Sequence, residues 1–145
     1  MNRVSRYQPE SAQALAEREA TATPYGWSTR NYQDSIDAAH IFYRLEQGSS
    51  GTAVVMPLLD EAELLNIFIT AEQQGQGLGQ ALLSGLMADL KQHGYQRLFL
   101  EVRASNAPAI RLYQRSGFQA SGLRKNYYPS GTGEREHAIL MEAIL

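Results

Sequence analysis

The sequence predicts an α/β domain, a mixed central sheet flanked by helices, with residues 1–145 as one unit. Three observations predict it. Two helix-patterned stretches come first, a meander of three apolar runs follows, and the second half alternates helix, strand, helix, strand. With 145 residues, 43% hydrophobic and 19% charged, the chain is long enough to bury a core without staples and has ordinary globular composition.

Residues 11–20 are alanine-rich and read as a helix. Residues 22–26 form a turn region, after which Ser28 is suited to cap a second helix running through Tyr32 and Ile36. Residues 41–45 and 52–58 read as strands joined by the turn Gln47-Gly48-Ser49-Ser50-Gly51, and residues 63–69 as a third strand. From Leu78, leucines recur at Leu82, Leu86 and Leu90 with Leu83 and Met87 beside them, which is one buried helical face. Gly94, after His93, suits the left-handed position past a helix end.

Residues 97–102 then read as a strand, with Leu98, Leu100 and Val102 on one face and Phe99 and Glu101 on the other. Ala104-Ser105-Asn106 supplies polar cap residues for a short helix over residues 107–115. Pro108 is tolerated in its first turn, Ala109, Ile110 and Tyr113 share one side, and Gly117 closes it. Phe118 begins a further extended segment, and residues 138–144 read as a late strand.

Two features exceed what folding requires. The first is Gln74-Gly75-Gln76-Gly77-Leu78-Gly79, set between an apolar strand and a helix. Glycines at alternate positions allow a tight turn and close backbone approach, and the free N–H groups of the following helix point into the same space. Such a loop binds an anion, most often a phosphate. The spacing is neither the dinucleotide fingerprint nor a Walker loop, since Gln80 and Ala81 stand where Lys and Ser or Thr would follow. Taken alone, a plain strand-to-helix turn explains it equally well. The second feature is Glu101, a mid-strand carboxylate among apolar neighbours, which costs free energy unless it is hydrated or paired.

Composition narrows the function classes. A formal net charge of −2 gives no general attraction to nucleic acid, so no direct nucleic-acid binding is expected. No apolar stretch approaches the roughly 20 residues of a membrane span. The first six residues lead into no apolar signal segment, which points to a cytoplasmic protein, as does the lack of cysteine. Without cysteine there is no disulfide, thiolate metal site or thiol nucleophile. His40, His93 and His137 are scattered without partner spacing, so no metal is expected, and no serine sits in a nucleophile elbow.

The order of these motifs resembles the GNAT N-acetyltransferases. It comprises the glycine loop, a long helix, the strand carrying Glu101, and then Asn106, Ala109, Leu112-Tyr113 and Gly117-Phe118. The run Leu100-Glu101-Val102-Arg103-Ala104-Ser105-Asn106, with Arg124-Lys125-Asn126-Tyr127-Tyr128-Pro129, is similar to the RimI-type ribosomal-protein-alanine N-acetyltransferases. The resemblance implies a sheet with a splayed central strand pair and acetyl-CoA as co-substrate. It also implies an acceptor in the N-terminal segment of a ribosomal protein, the alanine of small-subunit protein S18.

The resemblance assigns roles residue by residue. Gln74, Gly75, Gln76, Gly77, Leu78, Gly79 and Gln80 would bind the cofactor, the backbone N–H groups from about Gly75 to Gln80 taking the pyrophosphate, although Gly75 stands where the family often has a basic residue. The backbone at Ile67, Phe68 and Ile69 would face the acetyl and pantetheine groups, their side chains being core, and Asn106 would bind the cofactor or simply cap its helix. Glu101 is the candidate general base and Tyr113 the candidate general acid, against a solvated strand glutamate and a packing aromatic.

An N-terminal amine suits a modest carboxylate, because with a pKa near 8 about a tenth of it is neutral at pH 7, against about one in two thousand for lysine. With no thiol or activated serine, direct transfer in a ternary complex is expected over an acyl-enzyme. Trp27, Tyr127 and Tyr128 would border the acceptor, with the loop over residues 130–135. The RimI-type pattern has Pro-Trp-Ser where this chain has Pro24-Tyr25-Gly26-Trp27-Ser28, two residues longer. That departure leaves another protein N-terminus or a small amine as alternative acceptors. A non-catalytic acyl-CoA sensor or interaction module is the alternative outside the enzymes.

Overall fold

The computed structural model describes residues 3–46, 50–129 and 133–145. The expected turn residues Gln47, Gly48 and Ser49, and the loop residues Ser130, Gly131 and Thr132, lie outside the described residues. The elements in chain order are β1 (Val4–Tyr7), α1 (Ala12–Ala20), α2 (Thr29–Asp37), β2 (Ile41–Leu45), β3 (Gly51–Leu58) and β4 (Glu61–Ile69). They continue with α3 (Leu78–Gln92), β5 (Arg97–Arg103), α4 (Ala107–Arg115), β6 (Gln119–Pro129) and β7 (Arg135–Ile144). A short 3-10 turn, Ala71–Gln73, precedes the glycine loop.

Among the described residues seven strands form one sheet in the order β1-β2-β3-β4-β5-β7-β6. All described pairings are antiparallel except β4 with β5, which is parallel because α3 crosses over between them. Strand β1 is not evident in the pattern: Val-Ser-Arg-Tyr has no clean alternation, and tertiary pairing with β2 makes it a strand.

The helices divide between the two faces. Leu82, Leu83, Leu86 and Leu90 of α3 are buried against Tyr43, Val55, Leu64, Leu98 and Leu100, and Tyr113 of α4 belongs to the same cluster. Fully burying each such leucine contributes roughly 1.5–3 kcal/mol. On the opposite face Ala12 and Leu15 of α1 and Tyr32 of α2 pack on Phe42, Val54 and Phe68. Ser11 caps α1, and Ser28 caps α2 in a reciprocal box with Asn31.

Strand β4 carries a bulge. Val55 pairs with Leu64 and Val54 with Asn66, so Leu65 is the extra residue. Leu64 therefore packs on the α3 side, while Leu65 and Phe68 pack on the α1–α2 side. A bulge bends its strand and raises the local twist, which turns the rest of β4 away from β5.

Candidate active site

The β4–β5 ladder runs for only three pairs, Glu61↔Arg97, Ala62↔Leu98 and Glu63↔Phe99. Beyond them the two strands are not paired with each other, and a cavity of about 830 Å³ opens between them. Ile67, Phe68 and Ile69 line one wall; Leu100, Glu101, Val102 and Arg103 line the other. Phe68 is buried in the α1–α2 cluster, and Ile67 and Ile69 pack against the α3–α4 cluster. Their side chains serve the core, which leaves the unpaired backbone edge of β4 to serve the cleft.

The glycine loop closes one end. Gly75 and Gly77 have φ of +81° and +76°, and a Cβ at either would meet nothing within 4 Å. Glycine is required there by the left-handed backbone, and the space above it is open. No side chain caps α3, and the N–H groups of residues 75–80 find no protein acceptor among the described residues. These donors sit at the positive end of a helix of 15 residues, an arrangement whose electrostatics favour an anion. Gln74, Gly75, Gly77, Leu78, Gly79 and Gln80 line the cavity, whereas Gln76 does not. The Gln74 amide pins the loop by donating to the Ile69 carbonyl at 3.0 Å. Asn106 does what its cap position predicts, accepting from the Ala109 N–H at 3.3 Å, and it lines the cavity as well.

Glu101 and Tyr113 reach the cleft from opposite faces of the sheet. Alternation along β5 turns Leu98, Leu100 and Val102 toward α3 and α4, and so turns Glu101 to the other side. Its carboxylate is paired: Arg124 Nη1 donates to Oε1 at 2.8 Å. That pairing explains how a carboxylate is tolerated in mid-strand. Close by, burial and the Glu101 charge push the Glu63 carboxyl up. Tyr113 is 7% exposed and packs on Phe118 with ring centroids 5.7 Å apart. Burial, with Tyr128 nearby, pushes its phenol up to about 12, so it keeps its proton at neutral pH.

Trp27 and Tyr128 line the cavity with these two residues, but Tyr127 does not. The Tyr127 ring instead lies 3.8 Å from the Arg124 guanidinium carbon, beside the arginine that holds Glu101.

A buried polar cluster not predicted from the sequence lies beside Trp27. Glu19 Oε1 accepts from the Tyr32 hydroxyl at 2.6 Å, the Asn66 amide at 2.9 Å and the Trp27 N–H at 3.1 Å. Glu19 is 2% exposed and lines the cavity. Burial pushes its carboxyl up, opposed by those three hydrogen bonds. The signal was present: Ala12, Leu15 and Glu19 fall on one stripe of α1, and Asn66 interrupts an apolar run. Arg115 also lines the cavity. Among the described residues no group of three or more His, Asp or Glu is placed to hold a metal ion, and no helix is long and apolar enough to cross a membrane.

Comparison with known proteins agrees with this geometry. The model of the acetyltransferase (GNAT) family matches residues 12–118. The [ribosomal protein bS18]-alanine N-acetyltransferase of Escherichia coli K12 is 38% identical over 143 residues, covering 97% of this chain and 96% of the relative. The crystal structure of the ribosomal-protein-S18-alanine N-acetyltransferase from Escherichia coli superposes with a TM-score of 0.89 at 38% identity, covering 99% of this chain and 94% of that one. A GNAT family acetyltransferase from Elizabethkingia anophelis with acetyl-CoA bound shares the fold, at TM-score 0.76 and 23% identity over 98% of this chain and 97% of its own. The glycine loop, the interrupted β4–β5 ladder and these likenesses agree: the chain belongs to the GNAT acetyltransferase family.

Proposed function

We propose that this protein transfers the acetyl group of acetyl-CoA directly to the N-terminal α-amine of a protein. The acceptor is the alanine of ribosomal protein S18, the substrate named for its 38% identical relatives. One observation carries the chemistry: Glu101 and Tyr113 line a single cleft, from opposite faces of the sheet, where the β4–β5 ladder stops.

The residues present fit the co-substrate. The open, left-handed glycine loop and the unpaired N–H groups of residues 75–80 suit a pyrophosphate. Arg115, in the same cavity, is a cation available where Gly75 supplies none. Acetyl-CoA brings an activated thioester, and the chain supplies position and protons. Glu101 accepts the proton of the attacking amine. Tyr113, protonated at neutral pH, gives its proton to the departing sulfur. An N–H on the free edge of β4 near Ile67 donates to the thioester oxygen as negative charge develops there. Arg124 holds the Glu101 side chain aimed until the acceptor arrives.

The longer 24–28 segment favours one second reading, a different protein N-terminus as acceptor. Intact-mass detection tests both. An alanine-first peptide from the ribosomal acceptor, the same peptide with a blocked N-terminus, and one with a free amine only on lysine are each incubated with acetyl-CoA. Acetylation confined to the free alanine is the expected result. No transfer despite CoA binding, repeated across other N-termini and small amines, leaves an acyl-CoA-binding module.

A further inference from the structure

Tyr25 and Gly26 stand between Pro24 and Trp27, and both ends of this stretch are tied down. On the inner side a Cβ at Gly26 would lie 2.8 Å from Glu19 Cγ and 3.0 Å from Cδ, so only glycine lets the backbone pass this close. The next N–H, that of Trp27, donates to Glu19 Oε1. Glu19 is in turn fixed by Tyr32 and by Asn66 of β4.

On the outer side the Tyr25 ring centroid lies 3.9 Å from the Arg103 guanidinium carbon. The Tyr128 ring lies 4.5 Å from the same carbon. Arg103 cannot swing away, because its Nη1 donates to Glu136 Oε1 and to the Pro129 carbonyl, each at 2.9 Å. Tyr25 thus bridges the α1–α2 segment to the β6–β7 pair, past the end of β5. Tyr25, Arg103 and Tyr128 all line the cavity that holds Glu101 and Tyr113.

We propose that Tyr25 is a specificity determinant, a strap across the acceptor end of the cleft that admits a small first side chain and turns away a large one. The inference rests on the N-terminal-amine reading above. Glu101 and Arg103 are two residues apart on one strand and share a face, which sets the strap's anchor on the order of 7 Å from the base. An amine at Glu101 holds its own α-carbon about 1.5 Å away. A methyl side chain stays short of the ring stack, whereas a leucine or phenylalanine side chain has to occupy the space of the Tyr25 ring.

The test compares kcat/KM for three peptides differing only in the first residue, alanine, leucine or phenylalanine, on the wild type, Tyr25→Ala and Tyr25→Phe. Tyr25 is half exposed, and melting midpoints check that each variant is folded. The wild type should favour alanine. Tyr25→Ala should raise the leucine-to-alanine and phenylalanine-to-alanine ratios at least tenfold, through the acceptor KM and not that of acetyl-CoA. Tyr25→Phe, which keeps a ring on the guanidinium, should hold the wild-type ratios. Ratios within twofold of wild type in Tyr25→Ala, or a Tyr25→Phe enzyme as permissive as Tyr25→Ala, overturn the strap alone. A wild type that acetylates none of the three overturns the acceptor reading and the strap together.

Discussion

The two ends of the β4–β5 pair are made from the same alternation and behave in opposite ways. At one end three residue pairs form a ladder, and Arg97 clips it, reaching Glu61 at 2.8 Å and Glu142 of β7 at 2.7 Å. At the other end the ladder is gone, and each polar side chain takes its partner from a different element: Glu101 from β6, Asn66 from α1 and α2, Arg103 from β7. The bulge at Leu65 separates the two regimes. Backbone edges without partners are tolerated only where water or a ligand satisfies them, so an early end to a buried ladder marks a place built to hold something. Folding uses the closed end, and the proposed chemistry uses the open one.

The largest effect that can break this contrast falls on the open end. Glu101→Gln should lower kcat by about 10²–10⁴-fold while CoA binding, followed by calorimetry, is retained. Tyr113→Phe should slow single-turnover acetyl transfer by about 10²-fold with little change in CoA affinity. Unchanged turnover in either variant would remove that residue from proton transfer and return it to packing or to surface solvation.

Most of the architecture was legible because it follows from period. The leucines of α3, the alternation of β5 and the serine caps each bury or satisfy something locally, and local rules find them. The glycine loop and Glu101 were legible for the opposite reason, since no folding role accounts for them. What was missed depends on contacts far apart in sequence. Strand β1 exists through its pairing with β2, the bulge through its pairing with β3, and the Glu19 cluster joins residues 13 and 47 positions apart. Tyr127 and Tyr128 stand together in one motif and their rings touch, centroids 4.9 Å apart, yet Tyr127 lies over Arg124 and of the two only Tyr128 lines the cavity. The irregular register between Arg124 and Tyr128 carries no signal in residue type.

A smaller effect sharpens the contrast at the loop. Gly77 caps α3 with φ of +76°, a conformation that costs a non-glycine residue roughly 1–2 kcal/mol. Gly77→Ala should relieve that strain by turning the N–H groups away from the cleft. The expected result is a KM for acetyl-CoA raised about tenfold, with a smaller change in the acceptor KM, since 1.4 kcal/mol is a factor of ten. An equal rise in both constants would mean general loosening and not loss of an anion site.

The smallest effect concerns pH and belongs to the buried carboxylate at the open end. Burial raises Glu19 above its ordinary 4.5, against the downward pull of Tyr32, Asn66 and Trp27. The folded protein therefore holds this proton to higher pH than the unfolded chain does. The stability it contributes is complete below about 4.5 and is lost as pH rises through the raised native value. Glutamine keeps a carbonyl acceptor for the same three donors and cannot ionise. Glu19→Gln should therefore gain stability relative to the wild type as pH climbs from about 4.5 toward neutrality, measured as the difference in melting midpoint at each pH. A constant offset at every pH would mean that Glu19 titrates alike folded and unfolded, and that its three hydrogen bonds fully offset its burial.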